Sequence, residues 1–334
     1  MKLVAVPAIA VVAVLLPSPP SADSPSQPQR APAPAVHCDR TLLPHGRTTI
    51  RAAVRAPMRI RTLCLHGGVY RPGEVWLKRA GMTITSVPGE RATWRGRIVV
   101  RARDVTLERL DLDGTGRGRS SLPSPTINGK RFVLRESDVT NRNGICVHPL
   151  PYRHATPKGF TIERNRIHDC GRRPRTNRDH GVYVAGGSGV VRWNAIFDNA
   201  DRGVQLFPYA RGVRVYGNTI DGNGEGVNLG AAAAGNVVSN NLITNSRKRW
   251  NIEYFDLNGR GNRVLSNCVQ AASRVPYYRQ RGGIAPGIER YLELGENPDA
   301  HVRYADRARG DLRPSRVSPS CAGMGAPDDV TAGP

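Results

Sequence analysis

The chain has 334 residues, with 49 Lys and Arg against 27 Asp and Glu, so its formal net charge is +22. A chain of this length can bury a substantial core, as one large domain or two small ones. A composition with 39% hydrophobic residues, 36 Gly and 26 Pro excludes an acidic disordered chain, a collagen and a polytopic membrane protein.

The N-terminus has the layout of a secretory signal peptide. The basic start Met1-Lys2 precedes an apolar run over residues 3–16, and small residues near Ala22 or at 33–35 offer cleavage sites. The run is too short to cross a bilayer as a helix. Residues 17–35 contain seven Pro among Ser, Ala and Gln, which is typical of a disordered spacer. We therefore predict a secreted protein without a membrane span, in which residues 1–35 are signal peptide and spacer.

Six cysteines follow the spacer, and an even count after a signal peptide favours disulfides. They are Cys38, Cys64, Cys146, Cys170, Cys268 and Cys321. None of them is clustered at the spacing of a zinc site. Among the 15 pairings that six cysteines allow, we favour the sequential one, 38–64, 146–170 and 268–321. The outer two bonds would then fasten the ends of the domain, and the middle bond would fix an insertion.

Two short patterns recur through the middle of the chain. The first, apolar-any-any-Asn-any-apolar, has five copies at steps of 29, 24, 23 and 26 residues, centred on Asn165, Asn194, Asn218, Asn241 and Asn267. The second, Gly-apolar-any-apolar, occurs at 144–147, 181–184, 203–206 and 226–229, and with Asn in place of Gly at 251–254. Apolar residues that alternate over four positions have strand spacing and share one face.

A period near 24 residues, with short strands and with Asn and Gly at the corners, predicts an all-β fold in which each period is one coil of a parallel β-helix. Apolar residues would stack inside at about 4.8 Å, and Asn at one corner would form an amide ladder. The Gly before each strand is expected for its conformational freedom. Leucine-rich and helical repeats lack their consensus or their 3.6-residue period here, and a propeller blade is longer. A β-sandwich stays open, but gives no reason for the repeated Asn.

Residues 80–270 resemble the right-handed parallel β-helix, or pectin-lyase-like, superfamily. The resemblance lies in Asp179-His-Gly-Val-Tyr-Val, Asp201-Arg-Gly-Val-Gln-Leu and Glu225-Gly-Val-Asn-Leu, which are similar to segments of secreted bacterial members. The segment from Gly310 to Cys321 is similar to a closing segment of such proteins. The resemblance implies a single-stranded right-handed solenoid with capped ends. It leaves the activity open, because the superfamily includes lyases, hydrolases, epimerases and proteins without known catalysis.

On this basis we divide the chain into four parts. Residues 1–35 precede the fold, 36–75 form an N-terminal cap, 76–270 form seven or eight coils, and 271–334 form a closing segment and tail. An open end would expose apolar side chains and strand edges, so caps are expected. A helix is expected at 287–294. The insertions at 114–126, 149–158 and 171–180 are rich in Gly, Pro and Arg and should project as loops.

Alignment of the coils brings polar residues together on one outward surface within roughly 10–15 Å. One column contains Cys146, Tyr183, Gln205, Asn228 and Glu253. The residues before the strands are His180, Arg202 and Glu225, with Asp179 and Asp201 one step earlier. Walled by the insertions, this surface would form a groove for an extended polymer. The alternative is that these are ordinary solvated residues, which point outward only because alternate residues of a strand must do so.

We assign candidate roles by residue chemistry. His180 would be a base oriented by Asp179, Arg202 would neutralise a substrate carboxylate, and Tyr183 would be an acid. The candidate substrate-binding residues are Gln205, Glu225, Asn228 and Glu253. The alternative for the Asp179-His180 pair is a turn in which Asp caps backbone amides.

A metal site is less strongly indicated. His168, Asp169, Asp179 and His180 could together hold a divalent cation, although no spacing fixes them near one another. No cofactor is predicted with certainty, and Ca²⁺ is left open.

The leading functional hypothesis is a lyase or epimerase acting on an acidic uronate polysaccharide by proton abstraction next to the carboxylate. The alternative is a non-catalytic glycan-binding or structural extracellular protein. Nucleic-acid binding is supported by charge alone, and secretion argues against it. We expect a monomer whose partner is an acidic polysaccharide.

Known catalytic motifs of the superfamily are missing. The polygalacturonase motifs do not occur in the repeats, and the only Asp-Asp lies at 328–329. Arg173-Pro174-Arg175 only approaches the Arg-x-Pro-x-x-Arg of pectate lyases, and the Asp-Pro-His-Asp of alginate epimerases is absent. The resemblance therefore carries no activity over to individual residues.

Overall fold

The computed structural model describes residues 36–46, 49–56, 60–115, 122–248, 250–270 and 287–333. The predicted signal peptide and spacer lie outside these residues. The described chain winds into a right-handed parallel β-helix of about nine turns, and the predicted fold is confirmed. Among the described helices, none has the length and apolar character needed to cross a bilayer.

Each coil contributes one short strand to each of three parallel faces. Sheet A contains β1 (Arg40–Leu42), β2 (Thr62–Leu65), β5 (Thr83–Ser86), β8 (Thr106–Glu108), β11 (Val133–Arg135), β14 (Lys158–Glu163), the end of β16 (Val182–Arg192), β19 (Arg214–Tyr216), β22 (Val237–Ser239), β25 (Asn262–Leu265) and β27 (Leu292–Leu294). Sheet B contains β3 (Gly68–Tyr70), β6 (Ala92–Arg95), β9 (Leu110–Asp113), β12 (Asp138–Asn141), β15 (Arg166–Cys170), β17 (Ala195–Phe197), β20 (Thr219–Asp221), β23 (Leu242–Thr244) and β26 (Cys268–Val269). Sheet C contains β4 (Val75–Leu77), β7 (Ile98–Val100), β10 (Thr126–Ile127), β13 (His148–Pro149), the start of β16, β18 (Arg202–Ala210), β21 (Glu225–Gly230) and β24 (Ile252–Phe255).

The alternating apolar residues of the repeats form the core. Val191, Val215, Val238 and Val264 occupy equivalent positions on consecutive coils of sheet A, and each is fully buried. Sheet B has a matching row of isoleucines at 167, 196, 220 and 243. Identical side chains stack at the strand spacing in these rows, so the repeat in the sequence directly sets the register of the coils.

The predicted asparagine ladder runs along the corner between sheets A and B. The side-chain amide of each Asn donates to the side-chain oxygen of the next at 2.8–2.9 Å, from Asn165 through Asn194, Asn218, Asn241 and Asn267 to Asn297. Each of these amides also donates to a backbone carbonyl of the preceding coil. The ladder therefore satisfies buried backbone groups at a corner that no strand pairing reaches.

The other two corners have shorter ladders, outside the predicted Asn pattern. Asn199 donates to Asn223 at 2.8 Å between sheets B and C, and Asn236 donates to Asn262 at 2.9 Å between sheets C and A. Both pairs repeat at the coil period, with separations of 24 and 26 residues. That period was the signal that could have revealed them.

The glycines that open the second pattern have a role other than the expected one. Gly181, Gly203 and Gly226 lie outside the left-handed region of backbone space. A Cβ at Gly203 would lie 2.8 Å from the Ile220 side chain, and one at Gly226 would lie 2.0 Å from the Asn251 carbonyl. The expectation of conformational freedom was therefore wrong, and glycine is needed because the next coil approaches too closely for a side chain.

The three predicted disulfides are confirmed, with Cα–Cα separations of 5.4–5.7 Å. Cys38–Cys64 joins the segment just before β1 to β2, and the short helix α1 (Ile50–Arg55) buries Ile50 and Val54 at this end of the solenoid. The first full coil begins at Thr62, inside the segment that we had assigned to the cap.

The closing segment covers part of sheet B. It consists of the antiparallel strands β28 (Arg303–Asp306) and β29 (Asp311–Arg316), 3₁₀ turns at Arg307–Arg309 and Pro319–Cys321, and the helix α2 (Asp328–Thr331). Leu312 and Val330 pack on Phe197 of sheet B. The helix expected at 287–294 is wrong: a single 3₁₀ turn at Ile288–Arg290 leads into β27, because this strand pairs with β25 and buries Leu292.

Candidate active site on sheet C

The outward column predicted on sheet C is formed by four residues on successive coils. Tyr183 pairs with Gln205, Gln205 with Asn228, and Asn228 with Glu253. The column therefore presents one polar side chain per coil, at the strand spacing of about 4.8 Å.

Cys146 was wrongly placed in this column. It is buried in the core and bonded to Cys170, because Val147 pairs with Val182 and shifts this copy of the pattern by two residues. His148 takes the outward place next to Tyr183, where alignment of the repeats puts Cys146 instead. An insertion between the two copies hides this shift.

Three aromatic rings meet at this point of the column. His148 stacks on Tyr183 with ring centroids 4.8 Å apart, and His180 meets Tyr183 edge-on at 5.2 Å. Both histidines are buried, whereas Tyr183 is partly exposed. Tyr183 is thus the member of the trio that a ligand can reach.

Arg202 lies at the centre of a buried ion network beside the column. Its Nε is 2.9 Å from Glu225, its Nη2 is 3.1 Å from Glu253, and its Nη1 donates to Asn177 at 3.0 Å. Asn228 also donates to Glu253, at 2.9 Å. The guanidinium predicted to neutralise a substrate carboxylate is therefore held by two carboxyl groups of the protein.

The insertion at 171–180 closes over this network. Arg175 bridges Asp201, at 2.6 Å, and Glu225, at 2.9 Å, and both carboxylates are fully buried. Arg172 approaches Asp179 at 2.7 Å. The predicted open groove is thus covered at this point, because the arginines of the insertion fold inward to pair with carboxylates instead of projecting into solvent.

Asp179 does not orient His180 as expected. Its carboxylate accepts from the Arg172 side chain and backbone and from Thr176, which corresponds to the turn alternative. His180 Nδ1 instead accepts the backbone N–H of Arg202 at 3.3 Å. This hydrogen bond leaves the proton on Nε2, which makes no hydrogen bond to the described residues.

The electrostatics of the site follow from burial. Burial lowers the pKa of His148 to about 4 and that of His180 well below its usual value, with Arg202 adding to the effect at His180. Burial also raises the pKa of Tyr183. At neutral pH the site therefore holds two neutral imidazoles and a protonated phenol.

The carboxyl groups of the network share a proton near neutrality. Burial, followed by a hydrogen bond and charge repulsion from Glu225, raises the pKa of Glu253 to about 7, against the attraction of Arg202. Protonation of Glu253 relieves its charge repulsion with Glu225, which keeps its contacts with Arg175 and Arg202. Two carboxylates as near to each other as Glu225 and Glu253 repel, so ionising both of them costs free energy.

Several polar atoms on the column have no partner among the described residues. They are the acceptors Gln205 Oε1 and Asn228 Oδ1 and the two ring nitrogens of His148, of which one is a donor and one an acceptor in the neutral ring, and all of them are buried. A buried acceptor left unsatisfied costs about 1–3 kcal/mol. This column therefore offers hydrogen-bonding capacity that the described protein does not use.

The four residues considered for a divalent cation have other partners. His168 hydrogen-bonds to Asp138 at 3.0 Å and to Asp169 at 3.1 Å on sheet B, whereas Asp179 pairs with Arg172 and His180 accepts the Arg202 backbone N–H. Within the described ranges, no group of three or more His, Cys, Asp and Glu side chains is arranged to hold a metal ion.

Comparison with known proteins agrees with the architecture. Residues 126–271 match the family model of the right handed beta helix region, and a search of curated proteins finds no significant match. The chain is similar to the crystal structure of pectate lyase Pel9A, with a TM-score of 0.58 and 12% identity over 79% of this chain and 78% of that one. It is also similar to the A-module of the Azotobacter vinelandii mannuronan C-5 epimerase AlgE4, with a TM-score of 0.48 and 16% identity over 78% and 95% of the two chains. At 12% identity the likeness to the pectate lyase concerns the fold alone.

Proposed function

We propose that this right-handed β-helix protein acts on an extended acidic polysaccharide lying along sheet C. The observation that carries the proposal is the row from Tyr183 through Gln205 and Asn228 to Glu253, one polar side chain per coil, with the Gln205 and Asn228 acceptors unused by the described residues. Sugar hydroxyl groups are donors suited to such acceptors, and a regular row suits a polymer.

The chemistry that fits these groups is proton abstraction next to a uronate carboxylate. The neutral His180 imidazole would take the proton from the carbon bearing the carboxylate through Nδ1, which requires that the hydrogen bond from the Arg202 backbone N–H to Nδ1 be released when the site opens. In a lyase, the C–O bond to the next sugar then breaks, a C=C bond forms, and the Tyr183 phenol protonates the departing oxygen. In an epimerase, the phenol returns a proton to the same carbon from the opposite side. The pKa shifts of both groups favour these protonation states at neutral pH.

Arg202 would balance the charge that develops on the carboxylate. Its Nη2 contact with Glu253 weakens when Glu253 is protonated, which its pKa of about 7 allows near neutrality. The 171–180 insertion must also move, since Arg175 covers Glu225 and Arg172 holds Asp179. Substrate binding and opening of this insertion are therefore coupled in the proposal.

The test is an assay of the purified protein on polyuronates and glycosaminoglycans, with and without Ca²⁺. A lyase raises the ultraviolet absorbance of unsaturated uronate, whereas an epimerase incorporates solvent deuterium next to the carboxylate without cleavage. Tyr183→Phe should abolish either signal and leave thermal stability nearly unchanged. Tyr216→Phe is the matched control, because Tyr216 lies on sheet A. A stimulation by Ca²⁺ would assign part of the charge balance to a cation.

Non-catalytic glycan binding is the second candidate. It is favoured by the commitment of Arg202 and Asp179 to partners within the protein. It predicts retardation of the protein in a gel containing the polysaccharide, with neither cleavage nor deuterium exchange. Turnover that depends on Tyr183 would exclude it.

A further inference from the structure

The outward column of sheet C continues toward the N-terminal end of the solenoid. Trp76 pairs with Val99, Val99 with Thr126, and Thr126 with His148, which stacks on Tyr183. Four strand spacings separate Trp76 from Tyr183, or roughly 19 Å. Trp76 thus lies on the line along which the proposed polysaccharide would run.

Two aromatic rings and a guanidinium form an exposed platform at this end. Trp76 keeps 39% of its surface exposed and Tyr152 keeps 40%. The Arg101 guanidinium lies 4.7 Å from the Trp76 ring and 3.3 Å from the Tyr152 ring. Trp76 donates its indole N–H to Glu74, which fixes the orientation of the ring. The platform is therefore held in place before any ligand arrives.

The surroundings of the platform are cationic. Lys78 lies 5.7 Å from the Trp76 ring and Arg153 lies 5.5 Å from the Tyr152 ring. A cavity of about 790 Å³ beside Trp76 is lined by Lys78, Arg55 and Arg79 together with Val54 and Ala56. The described charged residues of this lining are all positive. Glu74, the carboxylate bonded to Trp76, is already paired with Arg97.

An exposed ring beside several cations combines the two contacts that an acidic sugar needs. The apolar face of the sugar packs on the indole, and its carboxylate or sulfate pairs with Lys78 and the nearby guanidinium groups. We infer that Trp76, Arg101, Tyr152 and Lys78 form a remote subsite for anionic sugar residues of a polysaccharide whose reacting part lies at Tyr183. This inference rests on the proposed function, and it adds that a long chain is held at both places.

The test compares long and short ligands. Trp76→Ala should weaken binding of long polygalacturonate or heparin about 10-fold, as expected for loss of an aromatic and cation contact. It should leave unchanged the binding of oligosaccharides too short to span from Tyr183 to Trp76. Trp193→Ala is the matched control, since Trp193 stacks with Arg192 at 4.2 Å in a similar aromatic and cationic cluster at the corner between sheets A and B.

Charge and fluorescence give two independent measurements. Lys78→Gln should weaken binding more than Arg260→Gln, which removes the same charge from an exposed site after β24. Polymer should change the tryptophan fluorescence of the wild type and of Trp193→Phe, but not that of Trp76→Phe. Because fluorescence does not require turnover, this readout holds even if the protein is a binder only.

The outcomes separate the two proposals. Equal affinity of Trp76→Ala and Trp193→Ala for the long polymer would overturn the subsite, even where Tyr183-dependent activity persists. If no acidic polysaccharide binds to or reacts with the wild type, the proposed function fails, and the subsite fails with it. Loss of activity in Tyr183→Phe, together with weaker binding of the long polymer by Trp76→Ala but not by Trp193→Ala, supports both.

Discussion

Sheets B and C carry similar charged residues in different environments. On sheet B, Arg95 pairs with Asp113 at 2.7 Å, and the two side chains keep 42% and 21% of their surface exposed. On sheet C, Arg202 pairs with Glu225 at 2.9 Å, and the exposed fractions are 7% and 0%. Exposed pairs contribute little to stability, whereas buried charges carry a large desolvation cost. The network on sheet C therefore carries a desolvation cost that an exposed pair would avoid. A functional role for these charges would explain why they are buried here.

Replacing the central arginine of each face should give the largest difference. Arg202→Met removes the guanidinium that Glu225 and Glu253 share and leaves Glu225 with Arg175, so we expect a loss of about 3–5 kcal/mol in the free energy of unfolding. Arg95→Met, the same substitution on sheet B, should cost less than about 1 kcal/mol. Urea denaturation of both variants measures the difference. Similar losses in the two variants would show that the two faces are energetically alike.

Removal of individual disulfides should affect the two faces differently. Cys268→Ser with Cys321→Ser releases the segment that covers sheet B and should cost about 2–4 kcal/mol. Limited proteolysis should then cut within residues 303–333 while the Tyr183 site keeps its ligand affinity. Loss of the Cys146–Cys170 bond should instead impair that site, because this bond joins the residue before Val147 to the start of the 171–180 insertion. If removal of either disulfide reduced ligand affinity at the Tyr183 site equally, the expected difference between the two bonds would be contradicted.

Protonation of Glu253 should make the stability of sheet C depend on pH. Its pKa is raised from 4.5 to about 7 in the folded protein, so the unfolded chain loses this proton first as pH rises. The stabilisation is present below pH 4.5 and is lost as pH rises through 7, by about 3 kcal/mol. Glu253→Gln should remove this dependence. His148, with its lowered pKa, acts in the opposite direction, so the wild-type minus Glu253→Gln difference is the quantity to measure. A flat difference between pH 4.5 and 7 would contradict the raised pKa.

Repetition explains which features could be predicted from the sequence. The Asn at 165 to 267 and the rows of Val and Ile recur at the coil period, so the fold, the ladder and the Tyr183 to Glu253 column follow from alignment. The sequential disulfides were predicted from their order along the chain. The remote platform escaped prediction because Trp76 and Tyr152 belong to different coils and meet only through Arg101.

Insertions explain the failures. The residues between Cys146 and Tyr183 include an added loop, so alignment slipped by two residues and His148 was missed. Closure of that loop over Glu225 depends on where the side chains of Arg172 and Arg175 fold, and no repeat encodes this. A periodic pattern therefore fixes the backbone of a solenoid site, whereas non-periodic segments determine whether the site is open.

The histidines of the two faces offer the finest test of the comparison. On sheet B, burial opposes protonation of His168, but hydrogen bonds and charge from Asp138 and Asp169 raise its pKa to about 9. On sheet C, burial without a carboxylate partner lowers the pKa of His148 to about 4. The His168 contribution to stability is present below pH 6.5 and is lost as pH rises through 9, so His168→Gln should cost about 1 kcal/mol at pH 6 and less at pH 10. NMR titration of the ring protons would resolve the two values directly. If both histidines titrated near pH 6.5, neither face would have the electrostatic environment described, and the neutral imidazoles proposed for the Tyr183 site would lose their basis.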